Sequence, residues 1–167
     1  MHAEALAFCA RVARAFPRLV ESGAALEFGA RDVNGSCRRL FPHLAWRGID
    51  FQAGPGVDWV GLAHEYDGPA VQVVCSTEML EHDPHWADSL RTMVDHLVPG
   101  GLLFFTCATT GRAEHGTRRQ RELYTPDPDY YHNLTGAEVQ GVLGDMLEQL
   151  HLEVQDDHHD LYGWGIR

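Results

Sequence analysis

The sequence predicts an α/β protein built on a doubly wound, mainly parallel sheet. Five short segments are nearly continuously apolar, as strands covered by helices on both faces must be. Segments with helical spacing of apolar residues lie before, between and after them. In addition, a loop with Gly29 and Gly35 follows the first apolar segment, and Asp50 lies near the end of the second one. The distance of about twenty residues between this loop and the acid is typical of proteins that bind a nucleotide cofactor.

The N-terminal half supplies a helix and most of the strands. Residues 3–16 predict a covering helix with Leu6, Cys9 and Ala13 on one side, and Pro17 follows it. Residues 35–41 predict a short helix, and residues 86–97 a longer one that ends before Pro99-Gly100-Gly101. No helix is expected between residues 66 and 71. The five apolar segments predict strands at 24–28, 46–51, 57–61, 71–75 and 101–107.

The C-terminal third begins with a long polar segment, residues 109–134, which predicts a substrate-facing loop or lid. A helix over residues 135–150 follows, with Thr135 as its N-cap and Glu138 at the capping-box position. Two further strands, at 152–155 and 161–166, complete the sheet.

Composition limits the classes of function. The length predicts a single domain over residues 1–167, and four dispersed cysteines are expected to be reduced core thiols. A formal net charge of −11 argues against general nucleic-acid binding, although residues 118–121 hold a local arginine cluster. The chain has neither an apolar membrane span nor an N-terminal leader pattern, so a cytoplasmic protein with no membrane association is expected. The oligomeric state stays open.

Four motifs occur in order along nearly the whole chain. They are residues 27–36, residues 48–50, residues 76–82 and residues 97–101. In these motifs the chain resembles the class I S-adenosylmethionine-dependent methyltransferases, in particular the small, type 11-like members. The resemblance implies a Rossmann-like, seven-stranded sheet of order 3-2-1-4-5-7-6 with the last strand antiparallel. It also implies S-adenosyl-L-methionine as the cofactor and an enzyme that transfers its methyl group.

Two other cofactor classes fit less well. The first loop lacks the Gly-x-Gly-x-x-Gly pattern that brings backbone close to a pyrophosphate, and Glu27 would repel phosphate there. An NAD-dependent oxidoreductase is further disfavoured because the chain contains no lysine for a Tyr-x-x-x-Lys pair. A nucleic-acid methyltransferase is disfavoured by the acidic balance and by the absence of an Asn/Asp-Pro-Pro-Tyr motif.

The predicted cofactor site follows the strand ends. Glu27 is expected to hold the amino acid end of the cofactor, and the carboxylate of Asp50 offers two oxygens to the two ribose hydroxyls. Phe51 is expected either to lie against adenine or to belong to the apolar core. Many members of the family carry an acid for the adenine amino group where this chain has Leu62. The predicted cofactor-binding residues are Glu27, Gly29, Ala30, Arg31, Asn34, Ser36, Asp50, Phe51, Leu62, Ala63, Ser76, Thr77 and Met79.

Four residues are candidates for catalysis. Methyl transfer requires alignment of the nucleophile with the methyl group, and a base is needed only when an alcohol or amine must lose a proton. Glu78 and His82 follow the fourth strand and are candidate bases, while a helix-entry hydrogen bond is the alternative role of His82. His115 and Tyr131 in the polar segment are candidates for acceptor contact or proton transfer.

The predicted acceptor is a small molecule or a sugar-containing, glycan-type compound, because the polar segment is rich in cations and rings. The alternative is a catalytically degenerate, methyltransferase-like binding or scaffold protein, for which Leu62 and the lack of a certain base are the relevant features. No metal site is predicted. His158 and His159 are adjacent and would point to opposite faces of a strand, which favours a solvated turn.

Overall fold

A single seven-stranded sheet organises the part of the chain that the computed structural model describes, residues 2–121 and 124–167. Its order is β3-β2-β1-β4-β5-β7-β6, with β1 to β5 parallel and β7 antiparallel to both of its neighbours. The predicted strand order and antiparallel last strand are therefore confirmed. The strands are β1 (Gly23–Phe28), β2 (Leu44–Asp50), β3 (Trp59–Val60), β4 (Val71–Thr77), β5 (Leu97–Ala108), β6 (Gln149–Gln155) and β7 (Asp160–Ile166).

Helices cover both faces of this sheet. The α-helices are α1 (Ala3–Ala15), α2 (Pro17–Val20), α3 (Trp86–Asp95) and α4 (Gly136–Leu143). Short 3₁₀ turns lie at Cys37–Leu40, Ala63–Glu65, Leu80–His82 and Arg118–Gln120. None of the helices in the described residues is long and apolar enough to cross a membrane.

The sheet separates two apolar cores because neighbouring strand residues face opposite ways. On one face, Leu103 and Phe105 of β5 pack with the buried sides of α3 and α4. On the other face, Leu102 and Phe104 pack with α1 and the Cys37–Leu40 turn. All four cysteines are buried and none forms a disulfide, so the core is held by apolar contact.

Several element boundaries differ from the sequence expectation, most clearly those of three helices. The helix predicted over residues 135–150 ends at Leu143, because residues from Gln149 onward pair with β7 instead. The short helix predicted over residues 35–41 is reduced to a 3₁₀ turn. The helix expected over residues 86–97 ends at Asp95, and Leu97 already belongs to β5.

The Pro99-Gly100-Gly101 segment forms an irregularity inside β5 rather than the break before a strand. Val71 pairs with Leu97 and Val73 pairs with Leu102, so the segment loops out of the ladder. Gly100 has a φ of 78°, and its N–H donates to the carbonyl of Arg167 at 2.6 Å. The last residue of the chain is thereby tied to the beginning of β5.

Candidate functional site

A cavity of about 380 Å³ opens at the carboxyl ends of β1, β2 and β4. Parallel strands bring these ends to one edge of the sheet, and Phe28 of β1 lies in register with Ile49 of β2 and Ser76 of β4. The volume lies within the ~300–1,000 Å³ of typical small-molecule sites. All of the cofactor-binding and catalytic residues predicted from the sequence line this cavity, except Ser76 and Tyr131.

The loop after β1 forms one wall. Gly29 has a φ of 77°, and a Cβ atom at this position would lie 2.5 Å from the Cβ atom of Met79. The N–H groups of Gly29 and Ala30 both donate to the carbonyl of Ile49, at 2.9 and 3.0 Å. Only glycine combines this backbone conformation with this close approach, so the sharp turn into the cavity requires it.

Glu27 lies beneath the same loop and is only 2% exposed. Its Oε2 accepts a hydrogen bond from Nε of Arg38 at 2.6 Å, and Oε1 lies 3.5 Å from the hydroxyl of Ser36. Burial raises the pKa of Glu27 to about 8, and the Arg38 guanidinium opposes that rise. The Glu27 side chain therefore already has a hydrogen-bond partner and orders the loop, a pairing that the sequence prediction did not include.

Asp50 forms the wall at the end of β2. Its Oδ2 accepts from the backbone N–H of Arg31 at 3.1 Å, and its Oδ1 accepts from the N–H of Gln52 at 2.9 Å. Each carboxylate oxygen has a further lone pair, so the group is held in place and can still accept two hydrogen bonds. Phe51, Leu62 and Ala63 continue this wall and make it largely apolar.

Glu78 forms part of the opposite wall, directly after β4. Its φ of 54° is unusual for a residue with a side chain and costs about 1–3 kcal/mol. Thr106 donates to Oε1 of Glu78 at 2.7 Å, and Nε2 of His2 lies 3.4 Å from Oε2. Burial raises the pKa of Glu78, but the His2 and Thr106 contacts outweigh it, so the pKa lies below its usual value and the group is ionised.

His2 reaches the cavity from the start of α1. Its Nε2 lies 3.1 Å from Oδ2 of Asp160 as well as close to Glu78, and its Nδ1 pairs with Glu4 at 2.9 Å. The Glu78 contact is the largest cause that raises the pKa of His2 to about 9, and Glu4 and Asp160 add to it against the effect of burial. Asp160 also accepts from Nη1 of Arg112 at 2.9 Å. The predicted covering helix is thus tied to the cavity wall by charge.

His82 and His115 stand together at the same end of the cavity. Their ring centroids are 4.8 Å apart with an interplanar angle of 88°. Burial lowers the pKa of His82 to about 4, and His115 adds to the effect, so the imidazole is neutral near pH 7. The ring of Tyr131 lies behind them, with its centroid 5.0 Å from that of His115.

Ser76 does not reach the cavity. It is fully buried within β4, between Phe28 of β1 and Phe105 of β5. The strand continues through Thr77, so the wall begins one residue later than the sequence suggests.

The described part of segment 109–134 folds back over the cavity. Arg112, Tyr124 and Pro126 line it and were not predicted as site residues. The guanidinium carbon of Arg31 lies 5.8 Å from the ring centroid of Tyr124, which joins this segment to the glycine loop. The N–H of Tyr124 donates to the carbonyl of Gly116 at 2.9 Å.

This architecture recurs in solved methyltransferases. The 1,6-didemethyltoxoflavin-N1-methyltransferase of Burkholderia thailandensis, with bound 1,6-didemethyltoxoflavin and S-adenosylhomocysteine, superposes with a TM-score of 0.67 at 16% identity, over 98% of this chain and 78% of that one. The chain has the class I methyltransferase fold.

Two further structures share the class I methyltransferase fold. The N-methyltransferase NodS of Bradyrhizobium japonicum WM9, in complex with S-adenosylhomocysteine, matches with a TM-score of 0.59 at 16% identity, over 94% of this chain and 86% of that one. Human N-acetylserotonin methyltransferase, in complex with S-adenosylmethionine, matches with a TM-score of 0.60 at 13% identity, over 98% and 56%. No family model matches the sequence, and no curated protein matches it significantly.

Proposed function

We propose that this chain binds S-adenosyl-L-methionine in the cavity and transfers its methyl group to a small acceptor. The observation that carries the proposal is the position of Asp50 beside the glycine loop at the carboxyl ends of adjacent strands. Ligands bind at this edge in doubly wound sheets. Three proteins of the same fold were crystallised with S-adenosylmethionine or S-adenosylhomocysteine, which supports this choice of cofactor.

The residues of the cavity fit the parts of this cofactor. We assign Asp50 to the ribose hydroxyls, and the orientation of its carboxylate by two backbone N–H groups supports this assignment. Phe51, Leu62 and Ala63 offer apolar contact to adenine, and residues 29–36 offer backbone and polar groups to the amino acid end. When bound, the cofactor supplies a methyl group on a positively charged sulfur.

The acceptor end of the cavity is defined by protonatable side chains. His82 and His115 line it with Glu78, and neutral His82 is able to accept a hydrogen bond from a hydroxyl or amine. The first of the three neighbours was crystallised with 1,6-didemethyltoxoflavin as well as S-adenosylhomocysteine, which supports a small-molecule acceptor here. A sugar-containing acceptor is compatible with the arginines of segment 109–134. A cytoplasmic location stays a prediction.

Calorimetric titration with S-adenosylmethionine and S-adenosylhomocysteine, with NAD as the control ligand, tests the proposal. Both sulfur ligands are expected to bind, and Asp50→Ala is expected to weaken binding about ten-fold or more through the lost ribose hydrogen bonds. Asp145→Ala, which removes an exposed acid that does not line the cavity, is the matched control. Unchanged affinity in Asp50→Ala would reject the ribose assignment, and absent binding of both ligands would reject the function.

A second candidate is a binding protein of the same fold without turnover. The apolar Leu62 favours it, because no acid stands at this place on the cavity wall to accept from the adenine amino group. The two candidates differ in turnover: a methyltransferase converts S-adenosylmethionine to S-adenosylhomocysteine when an acceptor is supplied, and a binding protein leaves it intact.

A further inference from the structure

A carboxylate and two imidazoles converge beside the acceptor end of the cavity. Glu81 and His82 come from the 3₁₀ turn after β4, and His115 comes from the loop after β5. One potential ligand atom from each residue lies within 4.8 Å of those from the other two. Carboxylate oxygens and imidazole nitrogens are the ligands that divalent transition metals take in proteins.

Glu81 is the unusual member of this group. It is fully buried, and neither of its oxygens accepts a hydrogen bond of normal geometry from a described residue, although the backbone N–H groups of Glu81 and Ala108 lie near enough to lower its pKa against the effect of burial. Nδ1 of His82 and the hydroxyl of Tyr131 are buried and unpartnered in the same way. Each unpartnered buried polar group costs about 1–3 kcal/mol, so four such atoms in one place call for a partner.

Arg112, a permanent cation whose charge acts on Glu81, does not supply that partner. Arg112 lies on the same side of the cavity, but its Nη1 donates to Oδ1 of Asp160 at 2.9 Å and to the carbonyl of His158 at 2.7 Å. Its charge is therefore matched by Asp160 rather than by Glu81. Two other groups of potential ligands occur among the described residues, but in one of them Glu27 pairs with Arg38, and in the other His2 forms ion pairs with the two acids of its own group.

Contacts with neighbouring residues orient the two histidine rings of this group. Nδ1 of His115 lies 3.1 Å from the carbonyl of Ala113, so it carries the proton and leaves the lone pair on Nε2. Gly116 packs so closely on His82 that a Cβ atom there would lie 2.7 Å from Cε1 of the ring. The N–H of His132 donates to the carbonyl of Glu81 at 2.9 Å and holds the turn.

We propose that Glu81, His82 and His115 bind one divalent transition metal ion, with Zn²⁺ as the probe. Three protein ligands leave a coordination position open, as in catalytic rather than structural zinc sites. Because His82 and His115 line the cavity, this position faces the acceptor.

The role of the ion rests on the proposed function. An acceptor hydroxyl held at the open position loses its proton to solvent more readily. Its oxygen then forms the bond to the methyl carbon, while the carbon–sulfur bond breaks with both electrons going to sulfur. The site would thus select acceptors that carry an oxygen able to coordinate the ion.

Metal binding is tested without cofactor or acceptor. The chain is freed of metal with a chelator, and Zn²⁺ is titrated by calorimetry, with Co²⁺ absorption as a second readout of the ligand geometry. One equivalent is expected to bind, and His115→Ala is expected to lower the affinity at least about ten-fold. His43→Ala, an exposed histidine away from the cavity, is the control and is expected to bind as the wild type does.

The variants are chosen to remain folded. His115 lies in a loop and is only half-buried, so its removal should not unfold the core; Glu81→Gln is the second variant. Equal Zn²⁺ affinity in wild type and His115→Ala, or no binding at all, would overturn the metal site. Binding of S-adenosylmethionine is measured separately on the metal-free chain, so its loss would reject the proposed function and leave the metal site standing.

Discussion

The charge contacts of His2 predict a pH-dependent stability. In the folded chain Nε2 of His2 lies near Glu78 and Asp160 and Nδ1 lies near Glu4, and the pKa rises from 6.5 to about 9. At 1.36 kcal/mol per pKa unit this rise corresponds to ~3 kcal/mol. The side chain is 26% exposed, so solvent screening reduces the expected contribution to roughly 1–2 kcal/mol.

The sign follows from which state holds the proton more tightly. The folded chain does, so the contribution is fully present below about pH 6.5, the pKa of an unfolded histidine. It is lost as the pH rises through about 9, the pKa in the folded chain. His2→Ala should therefore lower the free energy of unfolding by roughly 1–2 kcal/mol at pH 6 and by much less at pH 10.

Urea unfolding of the wild type and His2→Ala at both pH values measures this difference, with the exposed His43→Ala as the control. The wild type should lose its advantage over His2→Ala between pH 6.5 and 9. A difference that is the same at pH 6 and pH 10 would refute the reasoning, because apolar packing of the His2 ring would then account for it.

Two substitutions test the loop after β1. Gly29→Ala should lower both stability and cofactor affinity, because the added Cβ atom would lie 2.5 Å from the Cβ atom of Met79 and the φ of residue 29 is 77°. Thermal melting measures the loss of stability, and calorimetry measures the loss of affinity. A variant that is unchanged in both would show that the loop moves freely. Arg38→Ala should destabilise the chain by about 1–3 kcal/mol at pH 7, because the buried and mainly protonated Glu27 side chain loses its hydrogen-bond donor, and the double variant with Glu27→Leu should regain part of that loss in urea unfolding. A double variant no more stable than Arg38→Ala would assign the effect to packing of the Arg38 stem.

The sequence predicts those elements of the fold that a local pattern of apolar residues determines. The apolar runs of β1, β2, β4 and β5 are distinctive because both faces of the sheet are covered. The end of α4 was not predictable from periodicity, since residues 146–150 keep an apolar pattern that fits a helix or a strand. Pairing of Gln149 with Ile166 decides between them, and this contact is formed only in the folded chain.

The candidate site also has a part that the sequence predicts and a part that depends on tertiary packing. Asp50 and the glycine loop follow strands directly, so strand ends place them at one edge of the sheet. The pair of Glu27 with Arg38 was missed because nothing in the spacing shows that the 35–41 segment would shorten to a turn and aim an arginine back under the loop. Glu81 and His115 lie far apart in the chain, so only the packing of the β5 loop against the turn after β4 brings them together.

The two sides of the cavity have different chemistry, and this difference orders the experiments. The β1 and β2 side is set by backbone conformation and one oriented carboxylate, which suits a ligand that is bound but not altered there. The β4 and β5 side gathers Glu78, His82 and His115, groups that gain or lose protons or bind cations. Substitutions on the first side should therefore lower cofactor affinity and leave metal binding unchanged, whereas those on the second should change turnover, metal binding or both while cofactor affinity persists.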